Sequence, residues 1–169
     1  MTTRLLIEKM SGLADSWQKN GLPSHETLAK IAMEINTWKK ENAISGLWVK
    51  PPLMITATLD DGMGMGLNMI HLYAKALGIR IMHLGLLKTP EMIIGQVKIH
   101  RPGFLGLTVL QFDTEDDLVL ITGNLPRETI LIAGGPVFKA DPGLAERAGV
   151  HVVAENVAVF ITYMLKNKL

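Results

Sequence analysis

Apolar residues recur at helical spacing through the N-terminal quarter of the chain: Leu6, Met10, Leu13 and Trp17, then Leu28, Ile31, Ile35 and Trp38 after the break Gly21-Leu22-Pro23. Positions three and four apart share a face, so the pattern predicts two amphipathic helices, the second capped by Ser24. Two such helices cannot bury both stripes on each other alone. They must dock on the rest of the chain, on a second copy, or on another protein. Trp48 and Pro51-Pro52 then mark a junction. We place a helical segment at residues 1–46 and a larger domain at 47–169.

Beyond the junction the period changes to short apolar runs alternating with helical stretches, the pattern of a parallel sheet with crossover helices. Strands are predicted near Leu53–Thr58, Ile79–Leu84, Phe104–Leu110, Thr129–Ala133 and Val150–Ala154. Helices are predicted near Met65–Leu77, Pro90–Ile99, Thr114–Thr122, Asp141–Ala148 and Asn156–Lys166. The fold class is therefore α/β: a doubly wound five-stranded parallel sheet in the flavodoxin-like order. Its ligand crevice should lie beyond the carboxyl ends of the strands.

Composition narrows the function. Lysine and arginine number 17 against 16 aspartates and glutamates, so no overall field favours nucleic acid or an anionic membrane. Without cysteine there is no disulfide, thiolate site or thiol nucleophile. The opening MTTRLLIEKM is too charged for a signal peptide, and no run approaches the roughly 20 apolar residues a bilayer span needs. The expectation is a cytoplasmic protein.

The predicted carboxyl edge carries the unusual residues. Thr58-Leu59-Asp60-Asp61-Gly62-Met63-Gly64-Met65-Gly66 follows the first strand and opens a helix, so its glycines permit close backbone approach and the helix amides point at the crevice. Gly85-Leu86-Leu87-Lys88-Thr89-Pro90 follows the second, with Thr89 as cap and Pro90 at the first helical position. The third ends in Thr108-Val109-Leu110-Gln111 and the fourth in Ala133-Gly134-Gly135-Pro136. Gly62, Gly64 and Gly66 miss the G-x-G-x-x-G spacing, and no acidic residue closes the second strand, which argues against a nicotinamide dinucleotide. No Gly-Lys-Ser/Thr is present for a P-loop. Asp60 and Asp61 have no partner acid or nucleophile at a recognisable spacing, so no catalytic residue is assigned. Glu115-Asp116-Asp117 reads as a helix-capping run. His71, His83 and His100 are too dispersed to make a metal cluster, and the plain reading of each, His83 included, is a solvent-exposed or locally hydrogen-bonded imidazole.

Taken together these loops resemble the cobalamin-binding domain family of methionine synthase, methyltransferase corrinoid proteins and B12-dependent mutases. That family's signature is D-x-H-x-x-G, then S-x-L or T-x-L, then G-G; here stand Asp61-x-Met63-x-x-Gly66, Thr108-x-Leu110 and Gly134-Gly135. The stretch from Leu84 to Glu91 is similar to the second loop of the mutase small subunits, and the likeness spans residues 52–165. The N-terminal helices resemble a shortened helical cap. The resemblance implies a cofactor site at Thr58, Asp61, Gly62, Met63, Gly64, Gly66, Thr108, Leu110, Gly134 and Gly135. Thr108 would contact the base of the cofactor's nucleotide tail, and Leu110, Gly134 and Gly135 would shape the slot that takes it.

The cobalt-ligating histidine of the family is Met63 here, and a neutral thioether is a weak donor beside imidazole. No metal ligand is therefore assigned. The expectation is a corrinoid (cobalamin)-binding protein that holds the cofactor by its tail without histidine ligation. It would present the cofactor to a partner methyltransferase or related enzyme, with a reductive activator and a homodimer through the N-terminal helices as further partners. Two other readings stay open: a regulatory or interaction module that binds no cobalt, and the small subunit of a B12-dependent mutase.

Overall fold

In a computed structural model the chain is described over residues 2–60 and 65–167. Its residues divide into two compact units, one of helices and one built on a sheet.

The helical unit contains α1 (Thr2–Asn20), α2 (His25–Glu41), α3 (Met65–Leu77) and α8 (Val157–Lys166). On α1, Leu6, Met10, Ala14 and Trp17 are buried, so the stripe passes through Ala14 and leaves Leu13 half-buried. On α2 the buried line is Leu28, Ala32, Ile35 and Lys39, and Ile31 and Trp38 fall at its margin. Small Ala14 and Ala32 let neighbouring helices approach, which apolar periodicity alone does not reveal. Ser24 caps α2 as expected, its hydroxyl accepting from the Thr27 amide at 3.2 Å. Trp17 meets Tyr73 of α3 edge to face, ring centroids 5.4 Å apart, and the Tyr73 hydroxyl donates to the Leu28 carbonyl at 2.8 Å. Lys39 is buried, and its Nζ donates to the Ala76 carbonyl at 2.7 Å, closing the C-terminal end of α3. Desolvation holds its pKa below the ordinary lysine value.

The sheet unit contains β1 (Leu53–Thr58), β2 (Arg80–His83), β3 (Phe104–Thr108), β4 (Ile130–Gly134) and β5 (Val152–Val153), in the order β2-β1-β3-β4-β5. The other three pairings are parallel. Beside β1, the bonds from Arg80 N to Pro52 O and from Leu84 N to Thr56 O advance in the same direction along both strands, so β2 is parallel too. This is the predicted flavodoxin-like order, reversing between β1 and β3. One face of the sheet, through Ile55, Ala57, Leu105, Leu107, Leu131 and Ala133, packs on Ile93 and Val97 of α4 (Pro90–His100) and Leu118 and Ile121 of α5 (Glu115–Thr122). Short helices α6 (Val137–Ala140) and α7 (Leu144–Arg147) complete that layer with Phe138 and Leu144.

The differences from the predicted elements have local causes. A single helix was expected over Asp141–Ala148, but Pro142 holds Asp141 extended at φ −127° and ψ 86°, and α7 starts only at Leu144. The β5 strand is shorter than Val150–Ala154. The Val150 amide turns back to Ala145 O, and His151 Nδ1 accepts the Leu131 amide at 2.9 Å where a strand carbonyl would otherwise stand. Thr114 does not cap α5; its hydroxyl donates to Gln111 O. Among the described residues no helix is long and apolar enough to cross a membrane.

Candidate functional site

The register brings Thr58, Thr108 and Gly134 level at the carboxyl ends of β1, β3 and β4. Side chains alternate across a strand, so these three share a face with Thr56, Gly106 and Ile132 one row back, and with Met54, Phe104 and Ile130 behind them. Along that face side-chain bulk falls toward the carboxyl edge. The last row has nothing larger than threonine. A Cβ on Gly106 would lie 2.5 Å from Met54 Cε and 3.1 Å from Thr56 Cγ2, so Met54 fills the middle row and gives the small-residue stretch a floor.

Thr58 is buried to 1% exposure, and its Oγ1 has no hydrogen-bond partner among the described residues. A buried hydroxyl in that condition is costly and unusual, and it lies in the row where a ligand is expected. Gly135, just beyond β4 and against the end of β3, has φ 131°, and a Cβ there would fall 1.9 Å from Val109 O. Only glycine allows the β4 loop to close on the end of β3 in this way. Gly134 is less constrained, its added Cβ meeting Ala154 O at 3.0 Å.

The loops over this row are tied together by Asp60. Its carboxylate is buried, and Oδ2 accepts the Leu110 amide at 2.8 Å. Its carbonyl accepts the Leu87 amide at 3.1 Å, and the Thr58 carbonyl accepts that of Lys88 at the same distance. The expected strand Phe104–Leu110 ends at Thr108. Val109 still donates to Gly134 O, but the next amide is taken by a side-chain carboxylate. Asp60 was not among the expected site residues. An aspartate beside a glycine run is the one local sign of it.

Of the expected residues, Thr58, Thr108, Leu110, Gly134 and Gly135 are gathered here. Asp61, Gly62, Met63 and Gly64 lie outside the described residues. Gly66 is the second residue of α3, and a Cβ there would meet nothing within 4 Å. His83 Nδ1 and Thr56 Oγ1 are hydrogen-bonded at 3.0 Å, in line with the plain reading of that histidine. Glu115 is held by Arg147, which donates to both its oxygens at 3.1 and 2.9 Å, and the same guanidinium binds Asp141. That pairing keeps both carboxyls below their ordinary pKa. Among the described residues no group of three or more acidic, histidine or cysteine residues could hold a metal ion.

No family model and no curated protein sequence matches the chain. Solved structures do. A cobalamin-binding protein from Desulfitobacterium hafniense DCB-2 superposes with a TM-score of 0.78 at 17% identity, over 97% of this chain and 80% of its own. The monomethylamine corrinoid protein of Methanosarcina barkeri gives 0.61 at 18% identity, over 95% and 79%. A chain of the methanol:cobalamin methyltransferase complex MtaBC from the same organism gives 0.65 at 17%, over 95% of this chain and 63% of its own. At these identities the likeness is one of fold. The chain shares the α/β fold of these structures, with the five-stranded parallel sheet that the sequence led us to expect.

Proposed function

We propose that this protein binds a corrinoid by its nucleotide tail and presents it to a partner methyltransferase. The observation that carries the reading is the buried Thr58 hydroxyl, without a hydrogen-bond partner among the described residues and level with Thr108 and Gly134 in a row of small side chains. A tail base or phosphate would give that hydroxyl the partner it lacks. Gly134 and Gly135 keep the neighbouring backbone free of Cβ atoms. The solved structures of like fold, a cobalamin-binding protein and two from corrinoid methyl-transfer systems, support the cofactor class and the kind of partner. The cofactor would supply the methyl-carrying metal centre. This chain's part is to hold, orient and expose it.

The finer claim is that Met63 leaves cobalt without a strong protein ligand. To test both, the purified protein is mixed with aquocobalamin or methylcobalamin and freed of unbound ligand, then cobalt per chain and the visible spectrum are measured. Near-stoichiometric cobalt without an imidazole-bound spectrum is the expected result. Met63→His should then convert the spectrum to the histidine-bound form. No retained cobalt would refute the carrier and favour a module without cofactor. An imidazole-bound spectrum in the unaltered protein would refute the ligand-free lower face.

A further inference from the structure

Two large apolar side chains stand in solvent on the loops at the carboxyl edge: Leu87 is 65% exposed and Phe112 70%. Solvent exposure of single apolar residues is ordinary, but Leu87 also adopts φ 52°. A branched side chain seldom occupies that left-handed region, and glycine or asparagine would fit it better. The turn is nevertheless held firmly by the bonds from Leu87 N to Asp60 O and from Lys88 N to Thr58 O. Residues kept in such a conformation persist where their surroundings over-determine them, and they gather at ligand contacts. Phe112 lies two residues beyond Leu110, whose amide is bound by the Asp60 carboxylate. The loops carrying Leu87 and Phe112 follow β2 and β3, the two neighbours of β1 in the sheet, and Asp60 is bonded to both.

We infer that Leu87 and Phe112 are ring-contact residues, apolar rests on which the periphery of a corrin macrocycle lies beside the row of Thr58 and Thr108. The inference rests on the function proposed above and adds where part of the holding energy comes from. A macrocycle edged with methyl and methylene groups gains by covering exposed leucine and phenylalanine, and such contacts do not depend on a metal–nitrogen bond. Backbone strain at Leu87 is retained because glycine would display nothing there.

The test uses the full chain loaded with methylcobalamin. Bound cofactor is chased with an excess of hydroxocobalamin to give its release rate, and the melting temperature is read without ligand. Leu87→Gly should release the cofactor about ten-fold faster, the loss expected when one apolar contact of this size is removed, while melting no lower than the parent. Leu87→Asn, which tolerates the left-handed turn but is polar, should release it equally fast. Phe112→Ser should do the same, whereas Ile99→Ser, at an exposed residue of α4, should release it at the parent rate. Parent-like release from the Leu87 and Phe112 variants would overturn the inference, leave the proposed function standing, and point to a protein contact at these side chains. A parent protein that retains no corrinoid would instead overturn the proposed function, and this inference with it.

Discussion

Replacing Thr58 by valine should stabilise the ligand-free protein and weaken its hold on a corrinoid. The two side chains share a shape, so the exchange removes a hydroxyl and leaves the packing nearly unchanged. That hydroxyl is buried and unpartnered among the described residues. A buried polar group without a partner costs about 1–3 kcal/mol, so its removal should gain about 1–2 kcal/mol. For a chain of this size that is a rise in melting temperature of roughly 2–8 °C. Two residues back on the same strand stands a control. Thr56 is also buried, but its hydroxyl is bonded to His83, so Thr56→Val should cost about 1 kcal/mol. With corrinoid bound the sign at Thr58 reverses, because valine cannot make the tail contact, and affinity should fall by about five-fold for ~1 kcal/mol. Urea and thermal melts of the three proteins, followed by circular dichroism with and without aquocobalamin, read all of these quantities. A ligand-free Thr58→Val that is less stable than its parent by 1 kcal/mol or more would show the hydroxyl to be already satisfied, and the tail-binding argument would lose its footing.

Two other outcomes follow from the same geometry. Gly135→Ala must relieve a Cβ placed 1.9 Å from Val109 O at φ 131°, and moving the loop sacrifices the bond from Val109 N to Gly134 O. The sum is about 3–4 kcal/mol in a urea melt, against about 1 kcal/mol for Gly134→Ala, and equal losses would refute the close approach. Lys39→Met leaves the Ala76 carbonyl without its donor and should cost about 1–2 kcal/mol near neutral pH. The folded-state pKa of Lys39 is depressed, so between that value and the ordinary lysine value the unfolded chain binds more protons and this group's contribution to stability rises with pH. The gap between parent and Lys39→Met should therefore change with pH over the alkaline range, in the parent's favour. A gap independent of pH would show that Lys39 keeps its ordinary pKa.

The ladder of elements was legible because it is built from short-range signals. The short apolar run Leu53–Thr58, the Ser24 and Thr89 caps and the proline after Thr89 are each local in the chain, and each appears in the structure. Where reading failed, the deciding contact was distant in sequence or depended on small residues. His151 displaced a strand carbonyl, Pro142 split a helix, and Ala14 and Ala32 took places that periodicity gave to Leu13 and Ile31.

Loop composition alone marked Thr58, Thr108, Gly134 and Gly135 as residues of one carboxyl edge, since each lies at or within two residues of the end of a predicted strand. Three things needed the tertiary fold. Register set Thr58, Thr108 and Gly134 in one row, the bond from Leu110 N chose Asp60 as the clasp, and burial left the Thr58 hydroxyl without a partner among the described residues. Backbone conformation and capping are decided by neighbours along the chain, and so can be read from it. Register, the partner of a carboxylate and the solvation of a hydroxyl are decided by residues far apart in the chain, such as Asp60 and Leu110, brought together only when the strands pair.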